Sequence, residues 1–168
     1  MNREQGANGG NHTDGQQPTV EFAIERIFLK DMSFEVPQGA ESFRKQWRPR
    51  MTQDVMTQIK PLEDNRFEVV LRVTVAVKEE EQTAYLVEVQ QAGVFRITGL
   101  TGDPLARVLN SHCPAILFPY AREAIDGVVA KGSFPPPMLP PINFDALLQQ
   151  AADDARRKAS DAGAASSH

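Results

Sequence analysis

A chain of 168 residues has room for one domain and one sizeable core, and its 41% apolar content is ordinary for a globular protein. A net charge of −4 with no Lys/Arg stripe argues against nucleic acid, because neutralising phosphates needs a basic face. The longest apolar stretch, near 115–120, is too short to span a bilayer, and one cysteine, Cys113, leaves no internal disulfide, so the chain reads as cytoplasmic.

Residues 1–19 are rich in Gly, Asn and Gln, have no apolar run of a signal peptide, and read as a disordered leader. Residues 20–30 predict a strand with Phe22, Ile24 and Phe28 on one side. Residues 47–59 predict a weaker one, because Met51 and Val55 lie opposite in phase to Met56. The clearest strand is 66–78, where Phe67, Val69, Leu71, Val73, Val75 and Val77 take every second position. A charged loop at 78–82, with Glu79, Glu80 and Glu81 as a solvated tip, then leads into its antiparallel mate, 84–97. On that strand Tyr85, Val87, Val89, Gln91, Phe95 and Ile97 share one face, and Leu86, Glu88 and Gln90 share the other.

The second half is helical. Asp103 and Pro104 predict an N-cap and first-turn pair, followed by Leu105, Val108, Leu109 and His112 at helical spacing. Pro114 is expected to break or kink that helix. The pattern resumes through Leu117, Ala121, Ala124, Ile125 and Val128 to a C-cap at Gly132. Five prolines in 133–142 preclude regular structure there. Asn143 then caps a last helix with a Phe144, Leu147, Leu148, Ala151 and Ala155 stripe, and 159–168 reads as a disordered tail. Strands first and helices after give an α+β fold, with one domain over 20–158.

Candidate chemistry is sparse. His112 and Cys113 are neighbours that point about 100° apart on a helix, and packing explains them better than catalysis or metal binding. The glycines of 93–102 lack the Lys and Ser/Thr of a phosphate loop. No Ser/His/Asp ordering stands out. What stands out instead is apolar surface: Phe43 and Trp47 in an irregular region, and Phe134, Met138 and Leu139 among the prolines. Together with Met51 and Phe144 they are candidates to line a groove, which the flexible thioether of methionine suits.

Several strings resemble the SecB family of bacterial protein-export chaperones. These are Glu88-Val89-Gln90-Gln91 with Gly93 and Phe95, Cys113-Pro114, and Ile116-Leu117-Phe118-Pro119-Tyr120-Ala121-Arg122-Glu123. Ser33-Phe34-Glu35, the Arg-Val-Thr-Val of 72–75, Gly132 with Phe134-Pro135, and Asn143-Phe144-Asp145-Ala146-Leu147 also match, in order, across about 20–150. The resemblance implies a four-stranded antiparallel sheet with two main helices on one face, assembled as a homotetramer, a dimer of dimers. It implies an ATP-independent holdase without enzyme activity or cofactor, which binds unfolded preproteins and passes them to SecA. It places SecA docking at Asp31, Glu35, Leu86 and Glu88, puts any zinc on SecA, and gives Val87, Val89 and Gln91 an influence on tetramer assembly. A small-molecule enzyme, or a chaperone dedicated to one toxin–antitoxin pair, are the alternatives from other classes.

Overall fold

The computed structural model describes residues 19–44 and 46–165, so the leader assigned to 1–19 lies almost wholly outside the described residues. Four strands, β1 (Glu21–Glu35), β2 (Pro49–Pro61), β3 (Arg66–Glu79) and β4 (Gln82–Thr98), form one antiparallel sheet in the order β1-β4-β3-β2. The β-branched hairpin β3–β4 is therefore central, and β1 and β2 are the two edges. Their connection, 36–48, must cross the end of the sheet, a span of about 14 Å at three strand spacings.

Register decides which face each residue joins. Val73 lies opposite Val89 and Val75 opposite Val87, on a face whose members Val69, Leu71, Val73, Val75, Val77, Tyr85, Phe95 and Ile97 are all buried. The cover is helix α2 (Cys113–Lys131). Its Cys113, Leu117, Ala121, Ile125 and Val129 recur every fourth residue, so they form one ridge, and every one is fully buried. Each large aliphatic side chain so enclosed contributes roughly 1.5–3 kcal/mol. The opposite face of the sheet has no helix over it.

The structure corrects the local reading in several places. Phe28 does not share a face with Phe22 and Ile24. A bulge between Ile24 and Arg26 shifts the phase, so Ile24 faces the helix opposite Phe95 while Phe28 lies on the open side opposite Ala92. Asp103 is not the cap: α1 (Gly102–Arg107) starts after Thr101, and Asp103 sits in its first turn. Pro114 does not break the helix either. A π-helical turn, Val108–His112, joins α1 to α2, and the Cys113 N–H bonds to the Val108 carbonyl five residues back. The wider turn accommodates a proline that can neither donate nor tolerate the carbonyl one normal turn behind it.

At the other end of α2, the C-cap Gly132 lies against the Phe34 ring of β1, where any side chain would overlap it. The last helix, α3 (Phe144–Ala165), starts where expected, with the Asn143 side-chain oxygen accepting the Ala146 N–H at 3.0 Å. It continues past residue 159, where a tail was expected, because alanine is the strongest helix former. Glu79 is likewise no solvated tip. It is buried and accepts the Arg48 backbone N–H at 2.9 Å, fastening the 36–48 crossover to the end of β3.

Candidate functional site

The residues that tempted a chemical reading are accounted for by packing. The His112 ring packs edge-on against Phe22, 5.1 Å between centroids, while Cys113 points into the core. Burial pushes the Cys113 thiol up to about 12, far from reactive thiolate chemistry. A cleft of about 450 Å³ lies where α3 meets the π turn and is lined by Arg107, Ser111, His112 and Asp145 among others. Its acid is already engaged: hydrogen bonds from Ser111 and Arg107 hold the Asp145 carboxyl below its ordinary value. That pair roots α3. No group of three metal-ligating side chains occurs among the described residues.

A second surface is built of aromatics. Phe134, just after Gly132 ends α2, touches the rings of Phe43 (4.9 Å), Tyr85 (5.0 Å), Trp47 (5.5 Å) and Phe34 (6.5 Å). Two of these come from the crossover, one from β1 and one from β4, so the cluster ties together three segments distant in sequence. Beside it lies a cleft of about 260 Å³ lined by Ser42, Phe43, Trp47, Ser133, Phe134 and Pro135. The seven expected groove residues divide. Phe43 and Met51 are exposed, Trp47 is half-buried, and Met138 is 74% exposed. Phe134, Leu139 and Phe144 are instead core residues, 4%, 1% and 5% exposed. Of these three only Phe134 also lines the cleft, as its floor. Leu139 is drawn inward because α2 grips the proline-rich segment: Arg122 donates to the Leu139 carbonyl at 3.3 Å and Asp126 accepts the Met138 N–H at 3.1 Å. Phe144 packs on Phe118 of α2. Sequence reading missed Tyr85 and Phe34 as cluster members, although Phe34 stands directly opposite Val87 once the β1 bulges are counted.

The third surface is the open face. Strand pairing sets Glu35 opposite Leu86 and Ser33 opposite Glu88, with Asp31 one row further on, opposite Gln90. Asp31, Glu35, Leu86 and Glu88 thus form one contiguous block. Asp31 and Glu35 are exposed, Leu86 and Glu88 half-exposed. Among the described residues none of the three acids has an ion-pair partner, whereas elsewhere on the face Lys30 pairs with Glu68 and Arg66 with Glu25, each at 2.9 Å. An unmatched acidic block beside an apolar side chain attracts basic partners. Val87, Val89 and Gln91 face the other way and are buried beneath α2.

These placements separate structural from accessible residues. Phe134→Ala is expected to cost about 3–5 kcal/mol of stability, and Met138→Ala no more than about 0.5, as read from the midpoints of urea unfolding.

Residues 14–155 match the family described as preprotein translocase subunit SecB. The chain is 50% identical over 151 residues to the protein-export protein SecB of Cellvibrio japonicus, covering 89% of this chain and 90% of that one. It is 51% identical over 142 residues to that of Marinobacter nauticus, covering 84% of each. In structure it resembles a SecB-like chaperone of Mycobacterium tuberculosis, solved with a ChAD peptide from an antitoxin. The TM-score is 0.59 at 16% identity, over 72% of this chain and 90% of that one, a likeness of fold alone. The chain belongs to the SecB family of protein-export chaperones.

Proposed function

We propose that this non-enzymatic, cytoplasmic export chaperone holds unfolded precursors at the Phe43–Trp47–Phe134 cleft and delivers them to SecA through the open sheet face. One observation carries the holding step: an aromatic-walled cleft open to solvent, with the long apolar side chains of Met51 and Met138 left exposed. A folded protein closes such surfaces unless something else is to meet them. Aromatic walls and flexible thioethers accept many side chains without a fixed shape, which a binder of unfolded chains requires. Holding needs no chemistry and no nucleotide. It needs capture to be faster than folding. At a typical association rate of about 10⁵–10⁷ M⁻¹s⁻¹ and roughly 10 μM, capture runs at about 1–100 s⁻¹. Small domains fold at about 1–10⁵ s⁻¹, so slow folders are selected. A stoichiometric amount of the protein is expected to slow refolding of a slow-folding precursor; an unchanged rate overturns the holding step.

The delivery step rests on the acidic block. Asp31, Glu35 and Glu88 surround Leu86 on a face that no helix covers, and their charge suits a basic segment of SecA. Reversing Asp31 and Glu88 to lysine is expected to weaken SecA binding at least tenfold, about 1.4 kcal/mol or more, while capture of unfolded chains stays intact. Equal loss of both activities argues that the block serves the fold instead.

Assembly is read as a homotetramer, a dimer of dimers. The supporting observation is that Ile24, Leu29 and Met32, on the helix-facing side of edge strand β1, remain 40–47% exposed. An unpaired edge with uncovered apolar side chains favours self-association. Val87, Val89 and Gln91 influence it indirectly, by setting how α2 lies on the sheet. Native mass measurement is expected to give four copies; a monomer at micromolar concentration overturns this reading.

A further inference from the structure

The acids of the open face differ in what holds them. Lys30 fixes Glu68 and Arg66 fixes Glu25, but each base also cancels the charge it fixes. Asp31 and Glu35 keep their charge. They are exposed, and among the described residues nothing donates a hydrogen bond to either carboxylate, so both are free to turn. Glu88 is both held and charged. The Thr74 hydroxyl donates to its Oε2 at 3.0 Å, and a neutral donor orients a carboxylate without discharging it.

The sequence places that hydroxyl with little freedom. Thr74 stands directly opposite Glu88 across the central hairpin, and it faces the open side because Val73 and Val75 both point into the core. The other residues that β3 sets on this side are charged or apolar, so Thr74 is its one neutral polar group there. The bond also gives the carboxylate a direction. Strand β4 lies between β1 and β3, so a Glu88 bonded toward β3 leans away from Asp31 and Glu35 on β1. Ser33, opposite Glu88 on the β1 side, carries a hydroxyl too, but among the described residues it makes no bond to Glu88. The lean spreads like charges apart and widens the gap above Ser33, beside Leu86. Oε1 is left for a partner.

We propose that Thr74 is a positioning residue for SecA docking: its hydroxyl holds Glu88 charged and turned toward the place where a basic side chain of SecA meets it. A carboxylate already oriented loses less rotamer freedom when the partner arrives. This inference rests on the acidic block being the docking surface.

The test measures SecA binding to the full chain by isothermal titration calorimetry. Capture of reduced, carboxymethylated lactalbumin is the second readout. Thr74→Val keeps the branched shape and removes the donor, whereas Thr74→Ser keeps the donor and removes a methyl group. The valine variant is expected to bind SecA about fivefold more weakly, and the serine variant to stay within about twofold of the parent. A role in the sheet alone gives the opposite order, because valine suits a strand better than serine. Capture of lactalbumin is expected to be equal in the parent and both variants. In a Glu88→Ala background, Thr74→Val is expected to change SecA affinity by less than about 1.5-fold, since the bond it removes is already gone. Three results overturn the positioning role: a valine variant that binds SecA like the parent, a serine variant that loses as much as valine, or a full loss on adding Thr74→Val to Glu88→Ala. Unchanged SecA affinity in Glu88→Ala alone sinks Glu88's place in the docking block, and Thr74's part with it. That arm leaves Thr74 intact, which tells the two failures apart.

Discussion

One helix ridge covers one side of a four-stranded sheet, and most of what the molecule presents follows from that mismatch in width. The fourfold spacing of Cys113, Leu117, Ala121, Ile125 and Val129 gives α2 a ridge wide enough for β3 and β4. Neighbouring strands lie about 4.8 Å apart and a helix is about 10 Å across, so the edge strands are covered only in part. Val73 and Val89 are sealed, while Ile24 and Leu29 on β1 and Met51 on β2 are not. The reverse side of the sheet has no helix over it, and there the chain places charge around a buried Val70–Ala92 pair. A core sufficient to fold the protein and apolar surface left for other chains are two results of the same geometry.

The irregular segments complete the picture because they are held more firmly than their composition suggests. The crossover is fixed by a buried carboxylate, Glu79, accepting the Arg48 N–H, and by Phe43 and Trp47 against Phe134. The proline-rich stretch is gripped through its backbone by Arg122 and Asp126, which lie one helical turn apart on α2. Prolines offer few amide donors, so a segment rich in them is anchored through carbonyls and the rare free N–H. Both segments therefore present side chains from a defined backbone without belonging to the sheet or a helix.

The alternation of the β3–β4 hairpin was legible because every inward residue of β3 from Phe67 to Val77 is apolar and no bulge interrupts that stretch. The sorting of Leu86 and Glu88 from Val87 and Val89 followed directly. Strand β1 was harder. Two irregularities, at Ile24/Arg26 and Leu29/Asp31, reset a period of two, and nothing local in the sequence marks them. Pro114 misled for a related reason: the rule that proline ends a helix assumes an α-helical turn before it, and here that turn is π. Glu79 looked like the first of three equivalent acids, and only the return of the chain at Arg48 distinguishes it. The acidic block came from family resemblance, whereas the groove was read from apolar residues in irregular segments. Leu139 and Phe144 were apolar residues in irregular sequence, and only tertiary contacts tell a floor from a wall.

The absent side chain at residue 132 has a reach beyond its own turn. With only hydrogen there, the end of α2 settles onto the Phe34 ring, and Phe34 in turn neighbours Phe134, 6.5 Å between centroids. The distance from helix end to edge strand therefore dictates how far the central ring of the aromatic cluster sinks. A single glycine works as a shim, and the depth of the aromatic recess is gauged by the thinnest part in the stack.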